Sequence, residues 1–384
     1  MTSRKPRLAI FVSFSGKGGV ERVICNLMQG LSIHDLDVDV LVVVGKRGWL
    51  PESTWPNVRV IRMKSRHTGA SLPGLTAYLR RERPDVLMAA KDRCARMAVI
   101  ARWLARVKTR LVGQMHVNLL SVLESKSAWQ RWLRCAAMRR LFPRLDLIIG
   151  VSEGVVEDTM KITGLSRARM VALPNPIIGR ELHEKSEEPV DDPWLNDASI
   201  PFILGAARLN PDKDFPTLIR AFALVHREHR CRLIIIGEGP RREELEKLIA
   251  ELELQNCVAL RGHSSNPYAY MKKAALFALS SVAEGSPTVL VEAMALGTPV
   301  VSTDCPSGPR ETLGEGKFGP LVPVRDVEGM AAAILATLKT PLPASVLREA
   351  VEPFTIESST LRYLETLGFT AAISGAGSGR LAGR

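Results

Sequence analysis

The 384-residue sequence has no long apolar run. A membrane-spanning helix needs about 18–20 consecutive apolar residues. The opening run, Leu8 to Phe14, is broken by Ser13 and leads into glycines, so it is too short for a span or for a secretory leader. Aromatic residues are scarce, at 5%, but 46% hydrophobic and 24% charged residues exclude a disordered chain. The six cysteines (Cys25, Cys94, Cys135, Cys231, Cys257, Cys305) form no C-x-x-C pair. They read as reduced thiols of a cytoplasmic protein rather than a disulfide framework. The histidines lack metal-ligand spacing: His226 and His229 share a helix with no Cys or carboxylate set around them. Asp35/Asp37, Asp37/Asp39 and Asp212/Asp214 form Asp-x-Asp pairs, but two fall in a turn before a strand and the third flanks Lys213, so they read as chance. Neither a metal nor a cofactor is implied.

What is present is unevenly distributed charge. Through Pro176 the chain carries 30 Lys and Arg against 13 Asp and Glu; the remainder carries 22 against 27. A basic half joined to a mildly acidic one implies that the first faces something anionic, either nucleic acid or a membrane surface. Ala128 to Arg144 mixes Trp129, Trp132, Leu133 and Phe142 with five arginines, and Arg93 to Arg110 is similar around Trp103. The segment is either a solvated cationic helix face or a surface for anionic headgroups. Nucleic acid is disfavoured because no binding motif is recognisable.

Strand and helix patterns alternate along both halves. Arg7–Phe14, Val38–Val44, Val58–Met63, Asp85–Ala89, Arg110–Val117 and Leu145–Val151 read as strands, most of them separated by helical stretches. Leu173-Pro174-Asn175-Pro176 interrupts the pattern, and His183–Asp197 reads as a polar linker or surface loop. Alternation then restarts with strands over Phe202–Ala206, Arg232–Ile236, Val258–Leu260, Leu276–Leu279 and Pro299–Ser302. The expectation is an α/β chain with two doubly wound, Rossmann-like domains facing across a cleft. Their limits are 1–176 and 177–352, followed by a helix at 353–370 and a disordered Gly-rich tail at 371–384.

Four stretches could carry chemistry. In Leu279–Thr303 a strand ends, Glu284-Gly285-Ser286-Pro287 turns, and a helix begins. Pro287 suits the first helical position. The amides of Thr288, Val289 and Leu290 would then be free to bind phosphate at the positive end of the helix. Glu292 follows Glu284 by eight residues and could accept the two hydroxyls of a ribose. Alone, such a pair would be two solvated glutamates. Gly205–Phe215 places Arg208 and Lys213 beyond a strand end, as solvated cations or as partners of a departing diphosphate. Gly237-Glu238-Gly239-Pro240 is mainly a tight turn. The loop Ser15-Gly16-Lys17-Gly18-Gly19-Val20-Glu21-Arg22 lacks the spacing of a Walker loop or of G-x-G-x-x-G. It still lets bare amides approach an anion. His116 ends a strand, with or without a role.

Together these stretches resemble the family-4 (group 1) retaining glycosyltransferases of GT-B fold. Glu284 and Glu292 match its donor-binding glutamates, the first at the transferred sugar and the second at the nucleotide ribose. Gly285 and Ser286 match the turn between them, and Arg208 and Lys213 match its diphosphate-holding G-R-L…K-G-F motif, with Ala206-Ala207 where a glycine is common. Gly18 and Gly19 match the G-G-x-E-R loop, and His116 matches the N-domain histidine near sugar and acceptor. Asp304–Glu311 resembles bacterial members that extend lipid-linked or cell-surface glycans. The resemblance implies transfer of a hexose or N-acetylhexosamine from a nucleoside diphosphate sugar, UDP-linked, to such an acceptor, without a metal. Glu284 and His116 would be the catalytic residues. The missing spans, the scattered cysteines and the basic, Trp-bearing segments add the expectation of a cytoplasmic protein held peripherally at the inner face of the membrane by its basic half. The rival reading is an inactive nucleotide-sugar-binding or membrane-associated scaffold of the same fold.

Overall fold

The computed structural model describes every residue except 1–3, 15, 17, 46–48, 52, 125, 198 and 375–384. The chain divides into two compact units. One comprises residues up to Ile177 together with those from Ile356 onward, and the other is Ile178–Thr355.

In the first unit seven strands form one parallel sheet: β1 (Arg7–Phe14), β2 (Asp37–Val44), β3 (Val58–Arg62), β4 (Val86–Ala90), β5 (Arg110–Met115), β6 (Leu147–Gly150) and β7 (Met170–Ala172). Their spatial order is β3-β2-β1-β4-β5-β6-β7. β1 shows why: its side chains alternate between faces, so Ala9 and Phe11 enter one core layer and Leu8, Ile10 and Val12 the other. Both layers are covered, so Leu8–Val12 is apolar without alternation.

One covering helix comes from the far end of the chain. Ile356–Leu367 packs on helix Gly19–Leu31, so closely that a Cβ at Gly30 would lie 2.0 Å from Thr360 Oγ1. The buried Gln114 Nε2 donates to Tyr363 Oη at 2.7 Å, and Ser359 Oγ donates to the Pro174 carbonyl. These bonds satisfy polar groups that would be costly to bury alone.

The second unit holds six parallel strands: β8 (Phe202–Ala206), β9 (Arg232–Ile236), β10 (Val258–Gly262), β11 (Leu276–Leu279), β12 (Val300–Thr303) and β13 (Leu321–Val322), in the order β10-β9-β8-β11-β12-β13. In both sheets the order reverses beside the first strand, so functional loops gather at the strand carboxyl ends.

The structure corrects the sequence reading in four places. Residues 183–197 are not a linker: helices Arg180–Glu187 and Pro193–Asn196 lie there, because Leu182 and Leu195 bury and Asp192 caps the second helix. Asp192 is buried against Arg261, and Trp194 sits between the guanidinium groups of Arg232 and Arg261. The disordered tail does not begin at 371, since Thr370–Ser374 is helical with Ala372 buried; the rest of that tail lies outside the described residues. Phe142 belongs to the core, not to the basic surface. β7 and β13, three and two residues long, are too short to leave a periodic signature.

Candidate active site

In the second unit, Lys213 follows β8 on a loop ending in the left-handed residue Asp214. Two bonds tie this loop to the end of β11: Val282 N–H donates to the Asp212 carbonyl and Ser280 Oγ donates to the Lys213 carbonyl. The side chains then meet. Lys213 Nζ donates to Glu284 Oε1 at 2.7 Å, and Ser281 Oγ donates to the same oxygen at 2.6 Å. Burial alone would lower the Lys213 ammonium, but the neighbouring Glu284 carboxylate outweighs it and holds the pKa above its ordinary value. Cys305 lies buried beside the pair; its thiol is pushed up to about 12, by burial and then by Glu284.

Arg208 is exposed and has no ion-pair partner among the described residues. Its backbone is clamped by the Gly237–Pro240 turn. Gly237, at φ +147, brings its Cα so near Ala207 that a Cβ would lie 1.8 Å from the Ala207 oxygen, and a Cβ at Gly239 would lie 2.6 Å from the Leu209 oxygen. Only glycine permits that approach. On the other side, a Cβ at Gly308 (φ +91) would lie 2.6 Å from Pro287 Cδ, so the 304–311 loop rests on the Glu284–Pro287 turn.

The helix after that turn is Thr288–Ala295, with Pro287 as its N-cap rather than its first residue. The expectation of three free amides is therefore corrected at Leu290, whose N–H donates to the Pro287 carbonyl at 3.0 Å. Glu292 is buried at 1% exposure, with Tyr268 Oη 3.5 Å from its Oε1. Gly285 and Ser286 form the turn between Glu284 and Pro287. The loop after β8 thus brings an ammonium onto Glu284, four residues before the helix that carries the second carboxylate, Glu292.

The first unit has its own polar centre at the carboxyl ends of β1, β4 and β5. Gly18 caps helix Gly19–Leu31 through its backbone, and a Cβ at Gly19 would meet nothing within 4 Å. Ser15 and Lys17 of the glycine loop lie outside the described residues. His116 follows β5 and is 9% exposed; its Nε2 is buried with no hydrogen-bond partner among the described residues. Burial, and then the charge of Lys91, lower its pKa to about 3, so the imidazole is neutral. Lys91 is the residue that sequence reasoning missed. It follows β4 at φ +80, ψ 149, where a non-glycine residue is strained. Its Nζ donates to the Ser13 carbonyl at 2.7 Å and pairs with the buried Glu21 at 3.3 Å. No local pattern marks such a residue.

Comparison with known proteins gives the family. A family model described as "Glycosyl transferases group 1" matches residues 189–352, and one described as "Glycosyl transferase 4-like domain" matches 18–176. The N-acetylgalactosamine-N,N'-diacetylbacillosaminyl-diphospho-undecaprenol 4-alpha-N-acetylgalactosaminyltransferase of Campylobacter jejuni is 32% identical over 361 residues, covering 90% of this chain and 92% of that protein. The chain belongs to the group 1 glycosyltransferases. This glycosyltransferase is also 26% identical to the lipopolysaccharide core biosynthesis glycosyltransferase LpsE of Rhizobium meliloti, over 92% and 97% of the two chains. Its GT-B fold is that of Anabaena HepE, solved in complex with UDP and glucose, at TM-score 0.72, 19% identity, and coverage of 95% and 100%. It is a sugar-transferring enzyme of the class that builds bacterial polysaccharides.

Proposed function

We propose that this glycosyltransferase moves a hexose or N-acetylhexosamine from a UDP-sugar to a lipid-linked or cell-surface glycan, with retention at the anomeric carbon. The Lys213–Glu284 contact at the head of helix Thr288–Ala295 carries the reading. An ammonium has three donors; Glu284 occupies one and the others can serve phosphate oxygens. Lys213, Arg208 and the Thr288 and Val289 amides would stabilise the departing diphosphate as its charge develops. Glu292 would hold the ribose hydroxyls. Glu284 would position the sugar and polarise the reacting face without a covalent intermediate. Gly18 and Gly19 would admit a phosphate or sugar close to bare backbone. His116, neutral, would donate or accept a hydrogen bond to sugar or acceptor.

The Campylobacter relative is by name an alpha-transferase acting on a diphospho-undecaprenol-linked saccharide, and HepE was solved with UDP and glucose; both support the acceptor and donor classes proposed. No helix among the described residues is long and apolar enough to cross a membrane. Contact with a lipid-borne acceptor would fall to helix Ala128–Leu141, where Trp129 and Trp132 stack at 5.0 Å and are 67% and 58% exposed among arginines. Such a surface suits anionic headgroups.

A panel of nucleotide sugars screened by thermal stabilisation identifies the donor. The best binder is then offered polyprenyl-diphosphate-linked glycans, and product is read by mass and linkage analysis. UDP-sugars are expected to stabilise and to yield an α-linked product. Glu284→Ala with undiminished donor consumption would remove the catalytic assignment, and tighter binding to DNA than to anionic liposomes at physiological salt would remove the membrane one.

A further inference from the structure

The Lys213–Glu284 pair has a third member. Ser281, 1% exposed, donates its hydroxyl at 2.6 Å to the same Oε1 that Lys213 Nζ reaches at 2.7 Å. Both donors therefore meet one carboxylate oxygen, and Oε2 has no partner among the described residues.

The two donors differ in kind. An ammonium on a four-carbon stem is a mobile point charge and fixes no orientation. The last torsion of a glutamate is broad as well, so Lys213 alone would leave the carboxylate free to turn. Ser281 is rigid by comparison, because the chain around it is tied down at three consecutive residues. Ser280 Oγ donates to the Lys213 carbonyl at 2.8 Å, Val282 N–H donates to the Asp212 carbonyl at 2.9 Å, and Thr303 Oγ1, from β12, donates to the Ser281 carbonyl at 2.5 Å. A hydroxyl buried at that depth needs a partner, and the fold aims it at Glu284. The other carboxylate near Lys213, that of Asp212, stands at 3.6 Å, beyond hydrogen-bonding distance. The hydroxyl thus does the orienting, and the ammonium keeps donors for phosphate oxygens.

We infer that Ser281 is a positioning residue for sugar transfer: it fixes the Glu284 carboxylate so that Oε2, not Oε1, meets the transferred sugar. Lys213 is then free to follow the departing diphosphate without turning the carboxylate. This inference rests on the role of Glu284 proposed above.

The test is steady-state kinetics of the full-length protein, read as UDP release from the UDP-sugar that stabilises it most, in the presence of a polyprenyl-diphosphate-linked glycan. UDP itself is the probe for binding. Ser281→Ala is expected to lower kcat about tenfold, as loss of a hydrogen bond to a charged group does when that bond sets geometry. Donor KM and the Kd for UDP should stay within about twofold of wild type, because Ser281 touches none of the groups assigned to the diphosphate or ribose. Ser281→Cys keeps a weaker donor and should recover part of the loss; it carries the same test should Ser281→Ala fail to bind UDP. The decisive comparison is made in the Glu284→Ala background. If Ser281 acts through that carboxylate, adding Ser281→Ala there changes kcat by less than about twofold, whereas a residue that only stabilises the loop costs the same in both backgrounds. A further loss of about tenfold in the Glu284→Ala background, an unchanged kcat for Ser281→Ala alone, or a rise in the Kd for UDP that accounts for the whole loss would each overturn the inference. If Glu284→Ala itself leaves turnover intact, the role of Glu284 fails and the inference with it; if Glu284→Ala is impaired and Ser281→Ala is not, only the inference fails.

Discussion

The two units share a doubly wound parallel sheet, yet they assemble polar residues in different ways. In the second unit the side chains come from short motifs, and the fold only has to press two of them together: Lys213 and Glu284, 71 residues apart, touch at 2.7 Å. In the first unit the polar centre draws single residues from separate elements: Glu21 from the first helix, Lys91 after β4, His116 after β5 and Arg134 from a later helix. Under the proposed function, the second unit would meet a constant ligand, a nucleotide diphosphate, with a compact pattern, and the first unit would meet a variable acceptor with contacts scattered over loops and helix starts.

This contrast can be broken or sharpened by experiment. The largest effect is expected at the motif pair. Glu284→Ala or Lys213→Ala should lower turnover by about 10²–10³-fold, the usual cost of removing one preorganised charge. A loss under tenfold in both would deny the second unit its catalytic role. Gly237→Ala should cost about 3 kcal/mol or more, because its Cβ would meet the Ala207 carbonyl at 1.8 Å in a left-handed backbone. The matching change in the first unit, Gly19→Ala, meets open space and should alter the melting temperature little, so any drop in kcat/KM there reports ligand approach. Equal melting losses for the two alanine variants would erase the distinction drawn between a packing glycine and a ligand-facing one.

Asp92→Asn comes next, at about 2–3 kcal/mol, because it leaves Arg134 and Arg96 facing each other across a lost carboxylate. Chemical denaturation measures it, and an unchanged midpoint would show that the arginines are solvated. His116 then sets a pH dependence. The folded imidazole has a pKa of about 3 against an ordinary 6.5. Below pH 6.5 the unfolded chain therefore binds a proton that the folded chain refuses, and stability declines as pH falls from 6.5 towards 3. His116→Asn should flatten the decline of the urea midpoint between pH 6 and 4; parallel curves would mean that the ring is hydrated and charged. The smallest stability effect belongs to the surface. Trp129→Ala with Trp132→Ala should shift stability by no more than about 0.5 kcal/mol, yet weaken sedimentation with anionic liposomes. Unaltered liposome binding would leave the stacked pair without a membrane role.

The sequence by itself determined the α/β class and most strands of both sheets. A parallel strand buried on both faces must be apolar along its length, as Val38–Val44 is, and glycines and prolines punctuate the ends. It also singled out Lys213, Glu284 and Glu292, through their resemblance to the family's donor-binding motifs rather than through spacing alone. Only the tertiary structure decided what depends on contacts between distant segments. It converted the polar stretch 183–197 into packed helices by giving Asp192 and Trp194 arginine partners, and it withdrew the Leu290 amide by making Pro287 a cap. It took Phe142 into the core and placed Lys91 in a strained conformation beside Glu21 and His116. The physical reason is the range of the interaction. Periodicity and turn chemistry act within a few residues and leave a local mark, whereas burial, ion pairing and cavities arise between elements whose proximity no local pattern encodes.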